Sequence, residues 1–158
     1  HANAAGCSIL DKNLKDFHNY ANEKLKDVDF GENCYDVNFE RVGTDKDLTD
    51  LVFDLGKFEG IWGQANAEPL IHISKINIEK DNIRIMGSSQ DTVKIEYCGV
   101  SYIKFHAKEF IEELQECTGS ITLEIVGRAN INEWMGQRSA QILIEDYEIK
   151  SNNRIIEF

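Results

Sequence analysis

No stretch of the 158 residues approaches the roughly 18 consecutive apolar positions a membrane-spanning helix needs, because Lys or Glu interrupts every hydrophobic run. No signal peptide is visible, and the first residue is His1 rather than a methionine, so a fragment or processed product is expected. Proline is nearly missing: Pro69 stands alone, which excludes a proline-rich linker. Cys7, Cys34, Cys98 and Cys117 are unevenly spaced and contain no Cys-x-x-Cys pair. Neither a zinc site nor a disulfide framework is expected, but four reduced thiols in a cytoplasmic protein. There is no internal repeat and no low-complexity tract. Positive charge is scarce: 17 Lys+Arg face 28 Asp+Glu, a net charge of −11. That excludes a generally basic nucleic-acid coater, since phosphate binding needs concentrated positive charge. No Gly-x-Ser-x-Gly, Walker or Rossmann pattern occurs, and acids are too scattered to suggest paired carboxylates for two-metal catalysis.

What is present is a composition of 42% hydrophobic and 28% charged residues, that of a globular domain or two small ones. Leu14, Phe17, Ala21, Leu25 and Val28 recur at helical steps, with Asp11 as N-cap and Gly31 as stop. Residues 35–42 alternate as a half-buried strand, with Tyr35, Val37 and Phe39 on one face. Thr44 and Asp47 resemble a capping box ahead of a helix carrying Leu48, Leu51, Val52 and Leu55, which Gly56 ends. Residues 56–70 read as an ordered loop packed down by Trp62.

From residue 71 the period becomes two. Ile71 and Ile73 share one face while Ile76 and Ile78 have the opposite parity, which predicts a bulge near Ser74-Lys75. Asp81-Asn82 is a turn, Ile83 and Ile85 resume the strand, and residues 87–91 form a polar loop. Val93, Ile95 and Tyr97 alternate, Cys98-Gly99 makes a tight hairpin, and residues 100–105 return. Ala107, Phe110, Ile111 and Leu114 have helical spacing. Ile121, Leu123 and Ile125 form a strand, residues 129–138 read as a longer loop, and residues 139–149 form a last strand. The expected class is α+β: a small α/β N-terminal remnant, then a five-stranded OB-fold barrel with one helix between strands three and four. The expected organisation is a first region at 1–58, a linker at 59–70 and the OB-fold at 71–158. An open sheet with one helix is the alternative.

Three stretches resemble the C-terminal part of the RecJ single-stranded-DNA-specific exonucleases of the DHH phosphoesterase superfamily. His1-Ala2-Asn3-Ala4-Ala5-Gly6 resembles the end of the Gly-Gly-His-x-x-Ala-Ala-Gly motif of the DHH-associated domain. Leu55 to Leu70, with Phe58, Gly63, Asn66, Glu68 and Pro69, resembles a Leu-x-Pro-Phe-Gly-x-Gly-Asn-Pro-Glu-Pro segment. Here Lys57 replaces a proline, residues are inserted before Gly63, and Ala65 and Ala67 replace a glycine and a proline. Asn132-Glu133-Trp134-Met135-Gly136, with Gln141-Ile142 and Glu145-Asp146, resembles the Asn-Glu-Trp-x-Gly loop and last barrel strand. Thr92-Val93-Lys94 stands where the family has His-Leu-Lys. The resemblance implies a parent that is a 5′→3′ exonuclease on single-stranded DNA in recombination and repair. Such a parent uses two manganese or magnesium ions held by Asp and His residues of a catalytic domain not contained in this sequence. A chain without cofactor or metal site of its own, inactive in cleavage, is expected.

The resemblance makes His1 a phosphate contact of the parent. On an OB-fold, nucleic acid lies on strands two and three and on the loops between strands one and two and strands four and five. Aromatics stack on bases and cations track the backbone there. The candidates are Arg84, Lys94, Tyr97, Tyr102, Lys104, Arg128 and Arg138. Taken singly, each better suits a tyrosine half-buried on the barrel or a solvated surface charge, while together they are expected to supply a patch. Trp134 and Trp62 are assigned packing roles, Trp134 as a plug at the barrel end. His18, His72 and His106 lack a second metal ligand at a telling spacing. Glu109, Glu112, Glu113 and Glu116 read as the solvent face of a helix, the alternative being a surface that repels DNA from that side and orients the strand.

Two functions compete. The barrel guides single-stranded DNA, weakly and in a salt-sensitive way, or it is an acidic protein-interaction module recruiting the exonuclease to single-stranded-DNA-binding protein or a helicase. The first is overturned by absence of DNA binding at high protein concentration together with Lys94 and Lys104 on separate faces. A third class, a DHH-type phosphodiesterase on short oligonucleotides or cyclic dinucleotides, fits the first stretch but not a following barrel.

Overall fold

The computed structural model describes residues 8–28, 34–63 and 65–151. The chain divides into two compact units, His1–Cys34 and Tyr35–Phe158.

In the first unit a 3-10 turn, Asp11–Asn13, leads into helix α1, Leu14–Leu25. Asn13, not Asp11, holds the N-cap position. The expected stripe is there, and Leu14, Phe17 and Leu25 on it are exposed. Gly31 lies outside the described residues.

The second unit is one seven-stranded sheet with two helices. Strand β1 is Phe39–Val42, helix α2 is Leu48–Gly56, and β2 is Leu70–Ile78. Then come β3, Ile83–Met86, β4, Thr92–Tyr97, β5, Val100–Lys104, helix α3, Lys108–Glu116, β6, Ile121–Trp134, and β7, Gln137–Ser151. Their spatial order is β1-β2-β6-β7-β5-β4-β3. Strands β2 and β3 are consecutive along the chain yet lie far apart in that order, joined by a 3-10 turn at Lys80–Asn82. They are two halves of one bent strand, the first on β6 and the second on β4, and the bend closes the barrel. Counted so, there are five barrel strands with α3 between the third and fourth. The parallel pairing of β5 with β7 completes the OB arrangement.

The bend has two local causes. The register of β2 on β6 jumps between Ile73 and Ile76, and Lys75 takes a left-handed φ of 55°, the bulge that the parity change predicts. At the turn, Glu79 N–H donates to Asn82 Oδ1 at 2.9 Å, and Asn82 Nδ2 donates to the Glu96 carbonyl of β4 at 3.2 Å. Ile71, Ile73, Ile76, Ile78, Val93, Ile95, Ile121, Leu123, Ile125 and Ile142 fill the interior. Each buried isoleucine contributes about 1.5–3 kcal/mol.

Two helices close the two ends of the barrel. Phe110, Ile111 and Leu114 of α3 join the core where β5 ends and β6 begins, and Phe110 packs on Tyr147 with ring centroids 3.8 Å apart. Leu48 and Val52 of α2 join the same core. Gly56 of α2 faces Ile131 of β6, and Thr49 faces Gly99 in the β4–β5 turn, so α2 lies across the opposite end.

Several expectations change. Strand β1 and helix α2, placed by sequence in the first region, belong to the barrel: β1 pairs in parallel with β2 and α2 supplies core. Only residues 39–42 of the 35–42 segment are strand, because β2 offers its edge there. No capping box forms at Thr44. Asp45 Oδ2 instead accepts Val42 N–H at 2.8 Å, and Asp47 occupies the N-cap position. The expected loop at 129–138 is a continuation of β6 and β7 joined by a two-residue turn, Met135-Gly136, both at positive φ.

Candidate nucleic-acid interface

Residues opposed across a ladder share a face, so the strand register sorts the barrel side chains into inward and outward sets. Val93 and Ile95 point in, hence Lys94 points out. Arg84 opposes Lys94, Lys94 opposes Ile103, Ile103 opposes Leu143, Leu143 opposes Arg128, and Arg128 opposes Leu70. Arg84, Lys94 and Arg128, separated along the sequence, thus stand in one outward row across six strands, with Ile103 and Leu143 between the cations.

Above that row, toward the β6–β7 turn, the outward positions of β6 are Asn130, Asn132 and Trp134. Those of β7 opposite them are Gln141, Ser139 and Gln137. None is a carboxylate, in a chain of net charge −11. Asn132 Nδ2 donates to Ser139 Oγ at 3.4 Å, which steadies the two columns. Trp134 is 72% exposed and Met135 is 89% exposed. Trp134 therefore does not plug the barrel, contrary to the sequence reading. The hairpin carries it beyond the last core pair, past Ile131, which packs on Gly56. Trp62, by contrast, is half-buried.

The other candidates separate. Tyr102 is 1% exposed and faces Ile95 inside the barrel, so it cannot stack on a base. Its hydroxyl is buried without a hydrogen-bond partner among the described residues, and burial pushes its ionisation upward. Tyr97 also points inward, with its ring against Gly43. Burial raises its pKa, helped by the neighbouring Cys98. Lys104 opposes Val93 and so stands on the opposite face from Lys94. Its Nζ donates to the Glu145 carbonyl at 2.9 Å and sits 5.5 Å from the Tyr147 ring centroid. Arg138 is exposed on the hairpin opposite Glu133, off the outward face. His1 lies outside the described residues.

Two of the three cations in the outward row already have acids. Lys94 pairs with Glu96. Arg128 Nη1 lies 2.9 Å from Glu145 Oε1, and its Nε lies 3.7 Å from Glu68 Oε2. Burial raises the Glu68 pKa, with Arg128 opposing the shift. Among the described residues Arg84 has no ion-pair partner.

The loop at residues 87–91, between the first and second barrel strands, is pinned. Asp91 Oδ1 accepts the Ser89 hydroxyl at 2.7 Å, and the Asp91 carbonyl accepts Ala107 N–H at 2.7 Å. Asp91 Oδ2 lies 3.4 Å from His106 Nδ1. Phe105, next to that pin, is 58% exposed, a candidate the sequence reading passes over. The signal for the outward polar columns is the period-two alternation of Ala129 and Ile131 with Asn130 and Asn132, which turn-prone asparagines disguise.

His72 meets Glu124 at 3.6 Å, and His18 bonds Asn22 at 3.2 Å. No group of three or more His, Cys, Asp or Glu side chains among the described residues could hold a metal ion. On α3, Glu109, Glu112 and Glu116 are exposed and Glu113 is half-buried. No helix of the described residues is long and apolar enough to cross a membrane.

These features define an OB-fold module whose outward hairpin columns, Asn130 to Trp134 and Gln137 to Gln141, carry no carboxylate beside an exposed tryptophan. The chain belongs to the RecJ OB domain family, whose sequence model matches residues 41–146. It is 31% identical over 151 residues to the putative SPbeta prophage-derived single-strand DNA-specific exonuclease YorK of Bacillus subtilis (strain 168), covering 94% of this chain and 26% of that protein. The putative single-strand DNA-specific exonuclease yorK of Bacillus phage SPbeta matches equally, at 31% identity. The chain thus spans about a quarter of these relatives. The fold is similar to that of RecJ from Thermus thermophilus. The complex with Mn2+ gives a TM-score of 0.53 at 16% identity over 89% of this chain and 20% of that one. The complex with Mg2+ gives 0.51 at 14% identity over 96% and 21%.

Proposed function

We propose that this chain is the OB-domain portion of a RecJ-like 5′→3′ exonuclease, and that it guides single-stranded DNA toward a catalytic core outside this sequence. Family membership and relatives named as single-strand DNA-specific exonucleases support the class. The observation that carries the guiding role is the outward face of β6 and β7. Asn130, Asn132, Gln137, Ser139 and Gln141 offer neutral donors and acceptors to base edges, Trp134 offers a stacking platform, and no carboxylate intervenes. Divalent-metal hydrolysis belongs to the parent. The described residues assemble no group of three or more donors that could hold the ions.

The remaining net charge makes the grip weak. Few phosphates can be neutralised by Arg84, Lys94 and Arg128, so affinity should be low throughout and should fall with salt at a slope of no more than about 2 in log affinity against log salt. The test is titration of a 5′-labelled oligothymidine at low ionic strength, with a duplex of equal length as control. Micromolar to millimolar single-strand binding lost at raised salt is the expected result. No single-strand binding at millimolar protein overturns the guiding role, because Lys94 and Lys104 already lie on separate faces.

A recruiting role is the second reading. Ile85 and Met86 of β3 are partly exposed beside an apolar groove lined by Ile83, Val93, Ile111 and Leu114. Pull-down of single-stranded-DNA-binding protein or a helicase with nucleic acid removed distinguishes it from DNA guiding.

A further inference from the structure

Glu145 occupies an unusual place. In the β6–β7 ladder Val126 opposes Asp146 and Gly127 opposes Ile144, which leaves Glu145 without an opposite number. It is the extra residue of a β-bulge, and a bulge turns a side chain and a carbonyl out of the ladder. Both are used. The carboxylate meets Arg128 Nη1 at 2.9 Å, and the freed carbonyl accepts Lys104 Nζ at 2.9 Å. One residue therefore engages Arg128 of the outward row through its carboxylate and Lys104 of the opposite face through its carbonyl.

Arg128 is nonetheless incompletely satisfied. Its Nε is shielded from solvent and has no hydrogen-bond partner among the described residues, with Glu68 at 3.7 Å, beyond hydrogen-bonding reach. The side chain as a whole is 42% exposed. A guanidinium with one acid bound, one acid at arm's length and an unused donor can exchange a carboxylate for a phosphate, whose two free oxygens suit the guanidinium fork.

We propose that Glu145 sets the affinity of the OB face for single-stranded DNA by competing with phosphate for Arg128. This rests on the DNA-guiding reading and goes beyond it. A strand crossing the row must displace the Glu145 carboxylate, so each phosphate at Arg128 is held loosely and released readily. That suits a surface along which a strand has to move.

The experiment compares the wild-type chain with Glu145→Gln, Glu68→Gln and the double variant Glu145→Gln/Arg128→Gln, by anisotropy of labelled oligothymidine across a salt series. Glu145→Gln keeps the carbonyl that holds Lys104 and removes only the charge at Arg128. It should tighten binding several-fold at low salt. It should also steepen the dependence of log affinity on log salt by up to about 0.7, the contribution of one more phosphate on a single strand. The double variant should lose that gain. Glu68→Gln should tighten binding more weakly, and it reads the same Arg128 from another segment if the bulge variant fails to fold. A purely structural role for Glu145 would not move the salt slope. Wild-type binding with unchanged or weaker binding by Glu145→Gln overturns the proposal and leaves the guiding role standing. No single-strand binding by any of the four proteins overturns both.

Discussion

Gly127 of β6 faces Leu143 of β7 so closely that a Cβ at Gly127 would lie 2.6 Å from the Leu143 carbonyl oxygen and 2.6 Å from Ile142 Cγ2. This contact sits beside the bulge at Glu145, where the two longest strands change register. Backbone on the far side cannot swing away as a flexible side chain could. Gly127→Ala should therefore destabilise the chain by roughly 1–3 kcal/mol, the usual scale of overpacking. The midpoint of urea unfolding reads this, and a midpoint unchanged from wild type would refute the close approach.

Much of the barrel can be read from residues alone, because a half-buried strand writes its period into the sequence. The parity change between Ile73 and Ile76 marks the β2 bulge, and Cys98-Gly99 marks a hairpin. Strand β5 is harder. Val100 to Ile103 are buried at every position, so no alternation separates the inward Tyr102 from an outward residue. That is why the sequence assigns Tyr102 to the DNA face. The β6–β7 hairpin escapes because it projects past the core, where strand pairing continues without the apolar face that betrays it. The row joining Arg84, Lys94 and Arg128 depends on register between strands distant in sequence, which no local pattern carries. Glu145 is hidden for the same reason: a bulge is visible only when both strands are aligned.

Tyr102 buries its hydroxyl without a partner among the described residues, so the group costs desolvation and returns no hydrogen bond. Tyr102→Phe should leave stability at neutral pH unchanged or raise it by up to about 1 kcal/mol. It should leave oligonucleotide affinity unchanged. Tyrosines whose folded pKa is raised contribute stability that is full below the unfolded value near 10 and is lost as pH climbs past it. Tyr147 is pushed up to about 12, by burial first and then by Glu113 and Glu109. Alkaline unfolding should thus set in above about pH 10 and move upward in Tyr102→Phe and Tyr147→Phe. A fixed alkaline transition in both variants would contradict this.

Asp91 gives the corresponding expectation in acid. The Ser89 hydroxyl holds its carboxyl below the ordinary range, with His106 adding to the effect against desolvation. The folded pKa is depressed, so the stabilisation is present above the unfolded value near 3.9 and disappears as pH falls through the folded value. The Ala107 amide, bonded to the Asp91 carbonyl at 2.7 Å, should report loosening of the pin. Its protection from exchange should drop at the acid end in the wild type. Asp91→Asn should show no such step, and Ser89→Ala should move the step to higher pH. A step of equal position in all three proteins would detach the pin from Asp91.

Trp134 separates stability from binding. At 72% exposure beyond the last core pair, it contributes little to folding, so Trp134→Ala should shift stability by no more than about 0.5 kcal/mol. If its ring stacks on a base, the same change should weaken single-strand affinity by roughly 5- to 150-fold, from the 1–3 kcal/mol a base–aromatic stack supplies. Trp134→Phe should recover much of that loss. Because stacking is not a phosphate contact, the salt slope should stay at the wild-type value while the affinity falls. Arg84→Gln should behave in the opposite way, lowering both. A Trp134→Ala protein that binds as tightly as wild type would remove the stacking role, and one that unfolds would give the residue a structural one.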